Sequence, residues 1–316
     1  MRSSILFLLF LPVLFSCSEK DEWLDPSEES GNIPAGISRV AFESNSQSLR
    51  VYVFRKEGNV FRYDTILNSG WSTEGKMTAP LRMGDYKFLF TGPLNGHLNV
   101  LPVLPDKTVT FEQLRFAAQA DPQHPNGVLP VEELFLPEPE VADSVYAIRG
   151  DNEIKCTLKR RVSQLEFVLK RGYKKGNEYI PQPFEEGENI LGSIQEFQVV
   201  TTGVGTECNY RGTSGEGTLF STFSADGEKS VDTQGFATFE GPYVLPAADG
   251  KEVLLDISLV SVSGAAYPPL QLTGKLEPNR KLKVVLWLNS TSFDVGITIH
   301  NLPISERTDG DNGIWE

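Results

Sequence analysis

The residue with the clearest chemistry in this 316-residue sequence is Cys17, which ends the opening stretch MRSSILFLLFLPVLFSC. One arginine precedes an apolar run over residues 5–15, and this run is too short to span a bilayer core of about 30 Å as a mature helix. Leu14-Phe15-Ser16-Cys17 resembles a bacterial lipobox, in which the cysteine sulfur accepts a lipid and the chain is cut before it. The sequence therefore predicts a lipoprotein signal peptide over residues 1–16 and a lipidated Cys17. An ordinary signal peptide that ends near a cysteine by chance is the alternative.

An acidic stretch follows Cys17. Residues 18–22 read SEKDE, and the sequence stays polar to about Gly31, a composition that favours a flexible tether over residues 17–33. An acidic cluster directly behind a lipidated cysteine resembles the export signal of Bacteroidetes surface lipoproteins. We therefore expect a protein anchored in the outer membrane by its lipid and exposed at the cell surface, with a tether that faces the periplasm as the alternative.

Two further cysteines remain once Cys17 is assigned. Cys156 lies in a strand-like segment and Cys208 in a loop-like segment, and an exported protein meets conditions in which disulfides form. The two residues are a candidate disulfide pair. Sequence spacing does not place their Cα atoms within bonding distance, so two separate thiols are the alternative.

Two short motifs have simpler interpretations than binding sites. Asp309–Gly313 (DGDNG) offers oxygen ligands but lacks the distal glutamate of a calcium loop, so a solvated turn is the better interpretation. Residues 149–151 read Arg-Gly-Asp, the tripeptide that integrins bind, and a chance match in a linker explains it better. No metal site is predicted.

No catalytic constellation is visible in the sequence. His97, His124 and His300 are scattered, and the sequence contains no nucleophile elbow, phosphate loop or zinc-protease motif. The net charge of −13, from 29 Lys+Arg and 42 Asp+Glu, repels nucleic-acid phosphates. We expect no catalytic residues, no cofactor and no nucleic-acid partner. A carboxylate pair that meets only in the folded chain would still permit a hydrolase.

Most of the remaining sequence has the pattern of β-strands. Within residues 281–288, Leu282, Val284, Leu286 and Leu288 share one face of a two-residue repeat. Alternation also marks residues 86–90, where Tyr86, Phe88 and Phe90 flank Lys87 and Leu89, and residues 165–169. The other strand candidates are residues 37–42, 49–54, 60–66, 194–201, 253–260 and 293–299. Many short strands with frequent Gly and Pro turns favour an all-β fold of sandwiches.

One segment carries helix signals. Thr110 and Gln113 have the spacing of a capping box, and the residues that follow, up to Gln119, suit a helix interior; a short turn is the alternative. The length of 316 residues favours two domains. We place their boundary near Gly150, which gives β domains over residues 34–149 and 150–316.

Three phrases of the sequence resemble a known family. Residues 49–54 (LRVYVF), the turn at Gly58 and residues 81–88 (LRMGDYKF) resemble the first domain of Bacteroidetes fimbrillins and their anchor relatives, the FimB/Mfa2 family. Residues 158–168 (LKRRVSQLEFV) resemble the first strand of that family's second domain. The resemblance implies two tandem transthyretin-like β-sandwich domains behind the signal and tether, a surface-anchored pilus subunit, and no catalysis.

The resemblance also implies how subunits join. An extended segment of one subunit completes an open sheet of the next, because a sheet edge offers unpaired N–H and C=O groups. Shaft subunits open their groove by losing an N-terminal strand after an arginine. Arg39 and Arg50 lie in or beside strand patterns, and we interpret both as uncut. The strand from Asp294 to Ile299 and the tail to Trp315 could supply or receive pairing.

Two functions therefore follow from the sequence. The leading hypothesis is a lipid-anchored cell-surface fimbrial subunit, an anchor or assembly subunit that joins other fimbrial subunits by strand addition. The alternative is a surface glycan-binding lipoprotein of a polysaccharide uptake system, for which Trp71 and Tyr173 are candidate aromatic platforms.

Overall fold

The computed structural model describes residues 36–45, 49–94, 96–289 and 295–304. The predicted signal peptide, the predicted lipidation site Cys17 and the predicted tether lie outside the described residues, as do the DGDNG motif and Trp315. The described part of the chain belongs to one compact unit, residues 33–316. Among the described residues, no helix is both long enough and apolar enough to cross a membrane.

The first twelve strands, in chain order, are β1 Ile37–Ser44, β2 Arg50–Glu57, β3 Val60–Leu67, β4 Lys76–Arg82, β5 Gly84–Thr91, β6 Leu98–Leu101, β7 Arg115–Ala118, β8 Gly127–Val128, β9 Phe135–Pro137, β10 Tyr146–Ile148, β11 Asn152–Cys156 and β12 Leu158–Arg160. The next twelve are β13 Ser163–Lys175, β14 Glu178–Pro181, β15 Ile194–Val204, β16 Glu207–Cys208, β17 Thr213–Ser214, β18 Gly217–Ser224, β19 Ser230–Val231, β20 Ala237–Val244, β21 Glu252–Ser261, β22 Leu270–Lys275, β23 Arg280–Leu288 and β24 Val295–Pro303. Helical structure in the described residues is limited to α1 Pro139–Ala142 and three 3-10 turns, Phe111–Gln113, Ile190–Gly192 and Ala248–Gly250.

The first half of the chain forms a β-sandwich. One sheet has the order β11-β1-β4 and the other the order β10-β5-β2-β3. Their facing side chains form a hydrophobic cluster, here called the first cluster, in which Phe42 of β1 contacts Phe88 and Phe90 of β5 edge-on. The alternation of Tyr86, Phe88 and Phe90 thus points this face of β5 into the sandwich, as predicted.

The second half forms another sandwich. The sheet β19-β20-β13-β23-β24, with β14 added to the far end of β13, packs on the sheet β22-β21-β15-β18-β8. Leu282, Val284, Leu286 and Leu288 of β23 all lie in the core between these sheets, which confirms the predicted face of this strand. The all-β prediction is therefore confirmed, because strands dominate both halves.

The two halves share a third hydrophobic cluster, here called the junction cluster. It joins Tyr52 and Phe54 of β2 and Phe116 of β7 to Cys208 and Tyr210 of the second half. The chain also crosses between halves in its sheets, since β7 pairs with β16 and β8 pairs with β18. The division at residue 150 stays a prediction, and β11, which follows it, pairs in parallel with β1 of the first half.

The predicted helix after Thr110 is wrong, and the alternative of a short turn is correct. The capping-box contact exists, because the backbone N–H of Thr110 donates to Gln113 Oε1 (2.8 Å), but the helix lasts only one 3-10 turn, residues 111–113. The chain then becomes strand β7, whose Phe116 is buried in the junction cluster. Pairing with β6 and β16 outweighs the local helix propensity.

Candidate functional site

The candidate functional site is a set of strand edges. β1 determines whether the first sheet has an open groove. β1 is the middle strand of its sheet, antiparallel to β4 and parallel to β11. Val40 and Phe42 are completely buried in the first cluster, whereas the Arg39 side chain is exposed. Arg50 begins β2 and donates to the carbonyl of Leu94 (3.4 Å). β1 therefore fills its place in the sheet on both sides.

The free edge of β4 is protected by a proline. Pro80 lies opposite Arg39 in the β1–β4 ladder. The backbone N–H of Arg39 points away from β4, since it donates to Asp151 Oδ1 (3.4 Å) just before β11. The nitrogen of Pro80 must then face the free edge, where it offers no donor. This arrangement is typical of edges that avoid unwanted strand addition.

The free edge of β3 is covered by the chain itself. The backbone N–H of Tyr63 donates to the carbonyl of Val109 (2.8 Å), and Arg62 forms a bridge with Thr110. Lys107 reaches back to the carbonyl of Asp64. The loop before the 3-10 turn therefore occupies the place that another strand would take.

The outer edge of β24 differs from these two edges. β24 pairs with β23 over nine residues, from Arg280 opposite Pro303 to Leu288 opposite Val295, without a register shift. In the described part of the chain no strand pairs with its other side. On the β23 side, Trp287 Nε1 donates to Thr298 Oγ1 (3.2 Å). β24 is therefore a long edge strand that is fixed on one side.

The direction of the backbone groups on β24 follows from its end. The N–H of Ile304 donates to the carbonyl of Asn279 (3.3 Å), which lies on the β23 side. Consecutive residues of a strand point their backbone groups to opposite sides, and alternate residues to the same side. The N–H groups of Leu302 and His300 thus face β23, and that of Asn301 faces outward. The nitrogen of Pro303 faces outward as well, where a missing N–H costs the ladder nothing.

The two cysteines of the candidate disulfide lie in different clusters. Cys156 is buried in the first cluster and Cys208 in the junction cluster, and both thiols are free. Burial raises the pKa of the Cys156 thiol to about 12 and that of Cys208 to about 11. The structure does not bring the two sulfurs together.

This placement predicts the reactivity of both thiols. In a chain with Cys17→Ser, neither Cys156 nor Cys208 should react with iodoacetamide at mildly alkaline pH while the protein is folded, because the thiolate is the nucleophile and burial suppresses it. Both should react after unfolding in urea without reductant, as counted by mass spectrometry. A chain that gains its two labels only after reduction would contain the disulfide instead.

The remaining candidate residues are not brought together. His97 contacts the carbonyl of Pro130 (3.2 Å), His124 contacts Asp121 (2.7 Å), and His300 is exposed on β24. No set of three metal-ligating side chains occurs among the described residues.

The Arg-Gly-Asp tripeptide has a structural role. Arg149 binds Asp85 (2.5 Å) and the carbonyl of Gly84 (2.7 Å) on β5. Asp151 accepts from the backbone of Arg39. Both charged side chains of the tripeptide thus hold strands of the first sandwich in place.

The aromatic candidates for a glycan platform are held by the fold in different ways. Trp71 is half-buried against the first cluster, and its indole N–H donates to the carbonyl of Leu49 (3.1 Å). It lines a surface cleft of about 350 Å³ together with Arg50 and Asn68. Tyr173 is exposed on β13. Trp71 therefore serves first as part of the wall of the sandwich.

A comparison with known protein families identifies the family to which the chain belongs. A sequence model of the fimbrillin-A associated anchor proteins Mfa1 and Mfa2 matches residues 37–306. The chain belongs to this fimbrial anchor family. The match includes every described strand, from β1 to β24, so the anchor family accounts for the whole described fold.

Solved structures agree with the anchor family in fold. The fimbrial anchor protein Mfa2 from Porphyromonas gingivalis is 12% identical, with 84% of this chain and 97% of that chain covered and a TM-score of 0.52. A candidate adhesin from Bacteroides thetaiotaomicron is 13% identical, with coverages of 87% and 100% and a TM-score of 0.54. A candidate polysaccharide-binding protein from the same organism is 12% identical, with coverages of 85% and 99% and a TM-score of 0.53. A search of curated proteins gave no significant match.

Membership of the anchor family confirms the resemblance found in the sequence. It supports a fimbrial or adhesive role at the cell envelope, association with other fimbrial subunits, and a structural rather than a catalytic function. The sequence reasoning missed the protection of β4 by Pro80, although a proline in a strand pattern is a signal for an edge.

Proposed function

We propose that this chain is a lipid-anchored fimbrial subunit of the outer membrane that faces the cell exterior and binds a partner subunit along the outer edge of β24. Cys17 carries the lipid, and residues 17–33 are the tether to the folded unit. Membership of the anchor family supports the subunit role. The observation that supports the binding edge is the outward backbone of β24, an edge on which the described chain places no strand.

An uncut β1 suits an anchor better than a shaft subunit. β1 connects the tether to the sandwich, and Val40 and Phe42 fix it in the first cluster. A cut after Arg50 would separate the whole strand from the fold and would release the fold from its lipid. We therefore propose that β1 stays in place and that the first groove is closed in this subunit.

The test is a capture experiment with the tagged full chain and the fimbrial subunits encoded beside it. The wild-type chain should carry a partner subunit into the outer-membrane fraction. Asn301→Pro should capture roughly tenfold less, because it removes an outward donor and places a proline ring on the binding edge. Asn301→Ala keeps the backbone N–H and should capture as well as the wild type.

Two controls separate the parts of the proposal. Cys17→Ser should move the chain to the soluble fraction with its partner still bound, because lipid attachment and strand pairing use different parts of the chain. Equal capture by Asn301→Pro and the wild type, with both folded, would rule out the β24 edge. The glycan-binding alternative would be favoured by a chain that captures no subunit but retains a glycan, with loss of that glycan in Trp71→Ala.

A further inference from the structure

A cleft of about 390 Å³ lies beside the short ladder of β9 and β12, next to the turn that precedes β23. Its lining residues include Phe135, Leu158, Lys159, Arg160, Arg161 and Asn279. We refer to it as the basic cleft, because three consecutive cations line it in a chain whose net charge is −13. The cleft is therefore a local concentration of positive charge in an acidic protein.

The cations of the basic cleft exceed the carboxylates that face them. Lys159 and Arg161 share Glu138, at 2.6 and 3.2 Å, and Arg160 contacts Glu133 at 2.7 Å. Three positive charges thus face two negative charges. Among the described residues, one positive charge of the cleft has no carboxylate partner, and a single carboxylate would balance it.

Arg160 is held rigidly in the cleft wall. Its side chain is only 9% exposed, its Nη1 donates to Asn279 Oδ1 (2.9 Å), and its guanidinium lies 5.2 Å from the centre of the Phe135 ring. The Nε–H groups of Arg160 and Arg161 are buried and have no acceptor within the described part of the chain. These two N–H groups belong to the guanidinium charges counted above, and their burial fixes both cations in the cleft wall.

The backbone of Arg160 is open on the same strand. On the side of β12 that faces away from β9, the Leu158 N–H donates to Asn45 Oδ1 (3.2 Å) and the Val162 carbonyl accepts from the Asn279 N–H (2.9 Å). Alternate residues of a strand point their backbone groups to one side, so the N–H and C=O of Arg160 face this side too. Between residues 36 and 304, no described group pairs with them. An extended peptide could therefore form backbone hydrogen bonds here.

We propose that the basic cleft binds a carboxylate side chain carried by an extended peptide segment. The carboxylate contacts the exposed ammonium of Lys159 and the guanidinium of Arg161, and the peptide backbone pairs with Arg160. A dianionic phosphate would overcompensate the single positive charge, and a neutral amide would leave it unbalanced.

The test measures binding of small probes to the full chain in detergent at low ionic strength. A capped Ala-Glu-Ala tripeptide should bind at least about tenfold more tightly than a capped Ala-Gln-Ala tripeptide of the same shape, as measured by calorimetry or NMR titration. Inorganic phosphate and glucuronate are the competing probes, and both should bind more weakly than the Glu peptide.

A pair of lysine variants localises the binding. Lys159→Gln should weaken the Glu peptide by about threefold to tenfold and leave the Gln peptide unchanged. Its side chain is 56% exposed, so the change leaves the fold intact. Lys251→Gln is the matched control, because Lys251 is 60% exposed and pairs with Glu216 outside the cleft, and it should bind like the wild type.

Several outcomes would overturn the proposal. Equal binding of the Glu and Gln peptides would exclude recognition of the charge. Tighter binding of phosphate would contradict the charge balance, and tighter binding of glucuronate would assign the site to an acidic sugar instead of a peptide. An equal effect of Lys159→Gln and Lys251→Gln would place the binding elsewhere. The subunit role proposed above stands or falls separately, since its capture experiment depends on β24.

Discussion

Replacing Phe42 with alanine is expected to lower the free energy of unfolding by about 3–5 kcal/mol. Phe42 is completely buried at the centre of β1 and packs edge-on against Phe88 (5.2 Å between ring centres) and Phe90 (5.9 Å). Its neighbours in the sheet, Met77 on β4 and Ile154 on β11, belong to the same first cluster. The alanine would leave a cavity surrounded by rigid strands, which cannot collapse to fill it.

Urea denaturation followed by fluorescence or circular dichroism would measure this effect. Arg39→Ala is the matched control on the same strand, because the Arg39 side chain is exposed, and its effect should stay within about 0.5 kcal/mol. A Phe42→Ala loss below about 1 kcal/mol would mean that β1 does not hold the first sandwich together. In that case an anchor that retains β1 for stability would lose its physical basis.

The consequence for an anchor is mechanical. In the proposed lipidated chain, a pull on the anchored end would reach the folded unit through β1. A middle strand shares its backbone hydrogen bonds with two neighbours, so its removal requires both ladders to break. An edge strand would come away after the loss of one ladder. A middle position of β1 therefore resists such a pull better than an edge position would.

The sandwich faces could be predicted from the sequence because they are local. Each strand core follows a two-residue repeat, and the run Leu282, Val284, Leu286 and Leu288 determines the buried face of β23 without any knowledge of its neighbours. The fold class and the family follow from such runs and from the phrases around Gly84 and Arg160.

The junction between the halves could not be predicted in this way. β8 and β16 have two residues each, and two residues carry no periodicity. Their pairing depends on partners that are distant in sequence, such as Phe116 opposite Cys208. The basic cleft could not be predicted for the same reason, because β9, β12 and the turn at Asn279 that form it are distant in sequence.

Lys87 shows where the two-residue repeat misleads. The alternation of Tyr86, Phe88 and Phe90 predicts that Lys87 and Leu89 lie on the solvent-facing side of β5. Both side chains are buried instead. The other face of β5 packs against the junction cluster, so this strand is covered on both sides. The Lys87 ammonium lies 4.8 Å from the centre of the Phe111 ring and forms an ion pair with Asp143 (2.5 Å).

Asp143→Asn is expected to lower the free energy of unfolding by about 2–3 kcal/mol. Removing one partner of a buried ion pair costs more than an exposed pair would, and the 41% exposure of the Asp143 side chain reduces the loss. The variant would leave the Lys87 charge with only Glu112 at 3.7 Å. Asp143 also accepts from Tyr210 (3.2 Å) and Arg211 (3.3 Å) of the second half, so the loss falls on the contact between the halves.

A double-mutant cycle separates the charge from the shape of the site. Lys87→Met alone should cost about 1 kcal/mol or less, because methionine fills the apolar site and Asp143 keeps Arg211. The double variant with Asp143→Asn should lose clearly less than the sum of the two single losses, since no buried charge is then left alone. Losses that simply add would show that Asp143 acts through its second-half contacts alone and not through Lys87.

The pH dependence of the free energy of unfolding tests the contribution of the Asp143 carboxylate independently. The hydrogen bond from Lys87 holds the pKa of Asp143 below its ordinary value of 3.8, so the charged carboxylate stabilises the folded state above that value. This contribution is lost as the pH falls through the folded pKa. The wild type should therefore exceed Asp143→Asn in stability by a constant amount from neutral pH to about pH 5, and the gap should close below 3.8. A gap that stays constant or widens in acid would mean that the charge of Asp143 does not stabilise the fold through Lys87.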